Sequence, residues 1–146
     1  MTGRELDGEV SQRLADHEVR YTSGRRVVVT ALARSEGPKS PAELHAEVAS
    51  AVPLSSLYRS LAVLENAGIV VPHFGAKGVT RYELAEWLRG HHHHLICLNC
   101  GSVEDIAISQ THEAKLAELV KDIGAAASFA EVNHVLEIEG RCAKCA

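Results

Sequence analysis

The stretch His91-His92-His93-His94-Leu95-Ile96-Cys97-Leu98-Asn99-Cys100-Gly101 divides the 146-residue chain into two unlike halves and decides how each is read. As an extended strand it sends His91 and His93 to one face and His92 and His94 to the other, so one run of imidazoles can serve two separate metal positions. The run ends in Cys97-Leu98-Asn99-Cys100, and a second Cys-x-x-Cys, Cys142-Ala143-Lys144-Cys145, follows much later. Two such knuckles separated by a folded segment supply four thiolates in a tetrahedral array, which is closed, structural zinc coordination. In a reducing compartment this outweighs disulfide pairing. Imidazole suits zinc, iron, nickel and copper alike, so the histidines do not name their ion.

Downstream of the run the pattern predicts strands over 93–98 and 103–106, a helix over 110–123 and a last strand over 129–139. Leu116, Leu119, Val120 and Ile123 form the helix's apolar stripe, and Val132, Leu136 and Ile138 share one strand face. One helix against a short sheet buries little by itself, a shortage that a metal staple or a twin subunit relieves. His134 lies on the apolar strand face and, with four histidines close by, is expected to be a ligand. His112, on the helix face of Leu116 and Leu119, is expected to be a hydrogen-bonded core residue, with Glu113 the more usual oxygen donor. Glu83 and Asp105 are acidic residues beside predicted elements and are candidate donors.

Upstream, the spacing predicts helices over 4–18, from a Ser23 cap to Gly37-Pro38, from Ser40-Pro41-Ala42-Glu43 onward, and over 55–66 with Gly68 as the stop. Ile69-Val70-Val71, a Gly75-Ala76-Lys77-Gly78 turn and Val79 to Leu84 then read as a hairpin. Compact helices followed by a hairpin are the pattern of a winged helix-turn-helix. The fold class is therefore α+β: a winged helix-turn-helix domain over 1–84, a linker over 85–90, and a small metal-binding α+β unit over 91–146. The start of the fourth helix carries Ser55, Ser56, Tyr58 and Arg59, small hydroxyls with an aromatic and an arginine that can reach base edges and phosphates in a major groove.

With 46 % apolar residues and few aromatics, the composition is that of an aliphatic-cored globular protein and excludes extended disorder. No run approaches the about 20 apolar residues of a membrane helix, and the first nine residues are too acidic for a signal peptide, so the chain is expected in the cytoplasm. A net charge of −4 argues against indiscriminate nucleic-acid binding. From Arg13 to Arg34, however, five arginines face only Asp16 and Glu18, so a nucleic acid would meet the first half. A zinc hydrolase or deaminase would need His-Glu-x-x-His or His-x-Glu with Pro-Cys-x-x-Cys; His112-Glu113 has no second histidine at that spacing. A thiol-redox switch is a second rival.

The chain resembles the ferric uptake regulator family, whose members include zinc, nickel, manganese and peroxide sensors. The resemblance is carried by Leu54 to Leu61, Asn66 to Val70, Arg81-Tyr82-Glu83-Leu84, His91 to Gly101 and Glu139 to Cys145. It implies a homodimer that binds an A·T-rich palindromic operator when its sensing metal is present. It further implies structural zinc on Cys97, Cys100, Cys142 and Cys145, and a sensing site of Glu83, His92, His94 and Asp105. A second site would comprise His91, His93, Glu113 and His134. Tyr58 and Arg59 would contact DNA, with Arg20 and Arg25 on the phosphates or in a minor groove. Iron sensors of the family place a histidine just before the third helix, where this chain has Pro38-Lys39, so the sensing site is either short of one donor or recruits His73 or another. Zinc sensors offer a cysteine at the place of Ala85 and an aspartate near Val71, and both are absent. The regulatory ion is left open among iron, zinc, nickel and manganese, and peroxide sensing is the alternative within the family.

Overall fold

The computed structural model describes residues 1–131 and 133–146. Four helices open the chain: α1 (Gly3–Asp16), α2 (Ser23–Arg34), α3 (Pro41–Val48) and α4 (Leu54–Asn66). Each start has a local cause. Thr2 and Glu5 form a capping box on α1, and Ser40 accepts from the Glu43 N–H to open α3 with Pro41 in its first turn. The cap of α2 is Thr22 rather than the expected Ser23, which becomes the first helical residue. After α4 the backbone turns left-handed at Gly68 (φ 70°), as the glycine stop requires.

Strands β1 (Val70–Phe74) and β2 (Thr80–Leu84) pair antiparallel with Val71 opposite Glu83 and His73 opposite Arg81. Residues two apart share a face, so His73 and Glu83 are diagonal neighbours on one side of the hairpin. The turn between them holds Lys77 at φ 64°, a position that only glycine adopts freely. Val10, Leu14, Val28, Val29, Leu32, Leu44, Leu57, Leu61, Leu64 and Ile69 are essentially inaccessible and form one core under the hairpin. The expected linker is not plain coil: it contains a single helical turn, α5 (Glu86–Arg89), that buries Leu88 in this same core.

The second half is a three-stranded sheet in the order β4-β3-β5, from β3 (His93–Cys97), β4 (Val103–Ile106) and β5 (Glu137–Gly140), with α6 (Gln110–Ala126) in the crossover. β3 runs antiparallel to β4 and parallel to β5. Two expectations are corrected. The last strand spans only Glu137–Gly140, so Phe129 and His134 precede it, and Val132 lies outside the described residues. The apolar stripe of α6 is not buried against the sheet: Leu119 and Ile123 remain 55 % and 59 % exposed, alongside Phe129, Val135 and Ile138. An apolar stripe left open this way is a surface awaiting a partner. Among the described residues no helix is long and apolar enough to cross a membrane.

The halves dock closely. The Asp105 N–H donates to the Glu36 carbonyl at 3.4 Å, and a Cβ on Gly37 would meet the Val103 carbonyl oxygen at 2.6 Å, so only glycine permits the approach. Arg89 spans the same seam, donating to the Leu32 carbonyl (3.3 Å), the Ser35 carbonyl (2.7 Å) and the Asp105 carboxylate (2.5 Å).

Candidate metal centres

Four groups of side chains converge as metal-ligand sets among the described residues, each able to bring one donor atom per residue within 4.8 Å of the others, and three of them are the sets expected from the sequence. The alternation along the histidine run produces two of them. His93 and His94, adjacent and both buried, turn to opposite faces of β3.

On one face His94 lies in register with Asp105 of β4. The hairpin brings Glu83, 3 % exposed, over this pair. Glu83 Oε1 meets His94 Nε2 at 3.0 Å and Glu83 Oε2 meets His92 Nε2 at 3.0 Å. Asp105 divides its oxygens: Oδ2 takes the Arg89 guanidinium, while Oδ1 lies 3.7 Å from His92 Nε2 and 3.5 Å from His94 Nε2. That Oδ1 is buried and has no hydrogen-bond partner among the described residues, a costly arrangement unless an ion takes it up. Burial alone would raise the Glu83 carboxyl, but hydrogen bonds from His73 and His94 outweigh it and hold the group well below the usual carboxylate range. Burial raises the Asp105 carboxyl, countered in part by Arg89. The site thus presents two imidazoles and two carboxylates from four elements on both sides of the docking seam.

On the other face His91 and His93 approach Glu113 of α6, each at 2.9 Å from its Nε2. His134 Nε2 stands 3.4 Å from Glu113 Oε1 and, buried, completes no hydrogen bond among the described residues. The hydrogen bond from His93 draws the Glu113 carboxyl below its ordinary value. His91 also pairs with Glu86 of α5. His112 is not a core residue as expected: it is exposed, and its Nδ1 bonds Ser109 Oγ, the cap of α6, at 3.0 Å.

The third group is Cys97, Cys100, Cys142 and Cys145, all free thiols. Gly101 at φ 76° turns the first knuckle, and the pairing of β3 with β5 carries the second beside it. Cys97 Sγ accepts from the Cys100 N–H (3.5 Å) and the Cys142 N–H (3.3 Å), and these donors lower its thiol to about 6. Backbone N–H groups aimed at sulfur favour the thiolate, which is the form that binds metal.

In the winged-helix half, Arg25, Ser56 and Arg59 line one cleft between the starts of α2 and α4. Arg59 donates to Ser56 Oγ at 3.3 Å, and Arg25 donates to the Arg20 carbonyl at 2.6 Å. Ser55, Tyr58 and Arg20 are exposed but do not line that cleft. No side chain caps α4, so its first N–H groups are open to an anion. Arg89, Glu86 and Glu137 were not read from the sequence; nothing local distinguishes them from surface charges.

A model of the ferric uptake regulator family matches residues 16–139. The chain belongs to the ferric uptake regulator family. Among its relatives are the ferric uptake regulation proteins of Campylobacter jejuni (32 % identical over 133 residues, 87 % of this chain and 80 % of that protein) and Legionella pneumophila (32 % over 141 residues, 94 % and 98 %). The fold is similar to that of the Helicobacter pylori ferric uptake regulator, for which three functional metal binding sites are described (TM-score 0.77, 26 % identity, 99 % of this chain and 94 % of that one). It is likewise similar to a zinc-bound manganese uptake regulator (TM-score 0.67, 31 % identity, 91 % and 98 %). The family's proteins are transcription regulators, and four donor clusters occur among the described residues of this chain.

Proposed function

We propose that this chain is a metal-dependent, DNA-binding transcriptional repressor of metal-homeostasis genes, acting as a homodimer in the cytoplasm. The observation that carries the reading is the unpartnered Asp105 Oδ1 facing His92 and His94 beneath Glu83. A divalent ion there would join the hairpin, the segment leading into β3, β3 and β4, fixing the winged helix (1–84) on the sheet unit (91–146) across the 85–90 segment. In a dimer formed through the open stripe of α6, fixed halves would hold two α4 helices at a spacing of about one DNA turn, the requirement for a palindromic A·T-rich operator.

Glu83, His92, His94 and Asp105 are the sensing ligands in this reading; Cys97, Cys100, Cys142 and Cys145 hold structural zinc, and His91, His93, Glu113 and His134 hold a second ion. Tyr58, Arg59, Ser55 and Ser56 face the operator, with Arg20 and Arg25 on its backbone. Two imidazoles with two carboxylates suit iron, manganese, zinc or nickel as the regulatory ion, softer than a calcium site and harder than a thiolate one. The ion must favour the docked state by a few kcal/mol to shift occupancy usefully. The test is operator binding by fluorescence anisotropy, with the labile ion stripped by a mild chelator and the thiolate zinc retained. Binding should collapse and return on adding one of the four ions; affinity unchanged by stripping defeats the proposal.

A further inference from the structure

His94 has carboxylates on both sides. In the sheet it is opposite Asp105 on β4 and opposite Glu137 on β5, so the three side chains form a row across one face. The hinge cluster uses the Asp105 side. On the Glu137 side the hairpin presents His73, whose ring lies against that of His94 with centroids 4.4 Å apart. His73 Nε2 meets Glu83 Oε1 at 2.5 Å, while its Nδ1 looks toward Glu137 Oε1 at 3.8 Å. His73, His94 and Glu137 can each bring one donor atom within 4.8 Å of the others. His73 is mostly covered and Glu137 is 42 % exposed, so the group is walled on the hairpin side and open to solvent at the β5 edge.

We propose that His73, His94 and Glu137 form a further position for a borderline divalent ion, alternative to the hinge position because the two share His94. An ion held there fastens strand β1 of the wing to strand β5. Two imidazoles and a carboxylate with an outward opening leave room for water as a fourth ligand, the arrangement of an exchangeable rather than a closed site. Three protein donors against four make it the weaker of the two positions. It fills when the hinge is disabled. The proposal depends on the hinge reading only for the statement that the two positions exclude each other.

The test uses the full chain with its thiolate zinc in place and His91→Ala/Glu113→Ala as background, so that the cluster on the opposite face is removed. Co2+ is the probe, followed by equilibrium dialysis and visible absorption. The background chain should bind one exchangeable Co2+. Adding His92→Ala/Asp105→Ala should leave one Co2+ bound, about 10-fold or more weaker and with an altered spectrum. Adding His73→Ala or Glu137→Ala should then abolish it. If the His92→Ala/Asp105→Ala chain binds none, or binds one that survives both further substitutions, the proposal is overturned while the hinge reading stands. If the background chain binds no Co2+, both fail. Should the double variant lose its zinc and hence its fold, Asp105→Asn carries the test: a Co2+ spectrum that Glu137→Ala then changes supports the wing position, and one that it leaves untouched overturns it.

Discussion

Arg89 and Asp105 meet at 2.5 Å across the seam between the halves, and the pair uses only Oδ2 of the carboxylate. The arginine thereby does two things. It satisfies the Leu32 and Ser35 carbonyls at the end of α2, and it orients the other carboxylate oxygen toward His92 and His94. Both side chains are largely covered, so the pair is not a screened surface contact. Arg89→Ala should destabilise the metal-free protein by about 2–3 kcal/mol in urea titrations. Arg89→Lys should recover little, because one ammonium cannot replace a planar fork that reaches three oxygens. Wild-type stability in the alanine variant would show that the seam does not depend on this residue.

Gly37 fixes how closely the halves sit. An alanine Cβ would stand 2.6 Å from the Val103 carbonyl and 3.3 Å from the Glu104 Cα, both backbone atoms that cannot swing aside. Gly37→Ala should therefore cost about 1–3 kcal/mol or force the seam open. The opening would appear as a larger radius of gyration in solution scattering and as weaker binding of the labile ion, with thiolate zinc unaffected.

The metal-free hinge has a defined pH response. Glu83 is depressed: burial would raise it, but the hydrogen bonds from His73 and His94 win, so its contribution exists above the unfolded carboxylate value and fades as pH falls through the lower folded one. His73 is raised, chiefly by its hydrogen bond to Glu83, so its contribution exists below the unfolded imidazole value and fades as pH rises through the higher folded one. Both contributions are complete only between about pH 4.5 and about pH 6.5. The urea midpoint of the metal-free protein should fall above that window, and His73→Ala should flatten the fall. Ion affinity should climb as pH rises, because protons stop competing for the ligand nitrogens.

On the nucleic-acid face, Arg59→Ala should weaken operator binding by about 1–3 kcal/mol if the guanidinium reads a base edge. If it neutralises a phosphate, the loss should be alike on operator and random DNA, and the slope of log affinity against log salt should shrink by about one. Anisotropy titrations over several salt concentrations separate the two. No loss on either DNA would remove Arg59 from the interface.

Cys142→Ser should release the zinc proposed for the four thiols and unfasten β5 from β3, since it removes one of the four sulfur donors. The loss should approach the whole stability of the second half, read as a separate low-temperature transition in calorimetry. A variant that keeps stoichiometric zinc would show that three thiolates suffice.

What could be read from the sequence was what repeats at short range. Alternation sorted His91 and His93 from His92 and His94, Cys-x-x-Cys spacing paired the knuckles, and Ser40-Pro41 opened α3 as expected. Contacts made across the seam left no local mark: Arg89 resembles any helix-end arginine, and Gly37 next to Pro38 resembles any turn. The overlong last strand has a similar cause, because Val132, Leu136 and Ile138 satisfy a strand period whether or not a neighbour exists to pair with all of them. The open α6 stripe reads as an ordinary amphipathic helix until the fold leaves Leu119 and Ile123 exposed.

Four identical residues in succession have one further effect. A strand slipped by one position turns every side chain to the opposite face, and in most sequences that destroys whatever the face was built to do. Here the slip would replace imidazole by imidazole at the interior positions of the run. Nitrogen donors are thus interchangeable between the two chambers on either side of β3. The carboxylates, Glu83, Asp105 and Glu137 on one side and Glu113 on the other, distinguish the chambers.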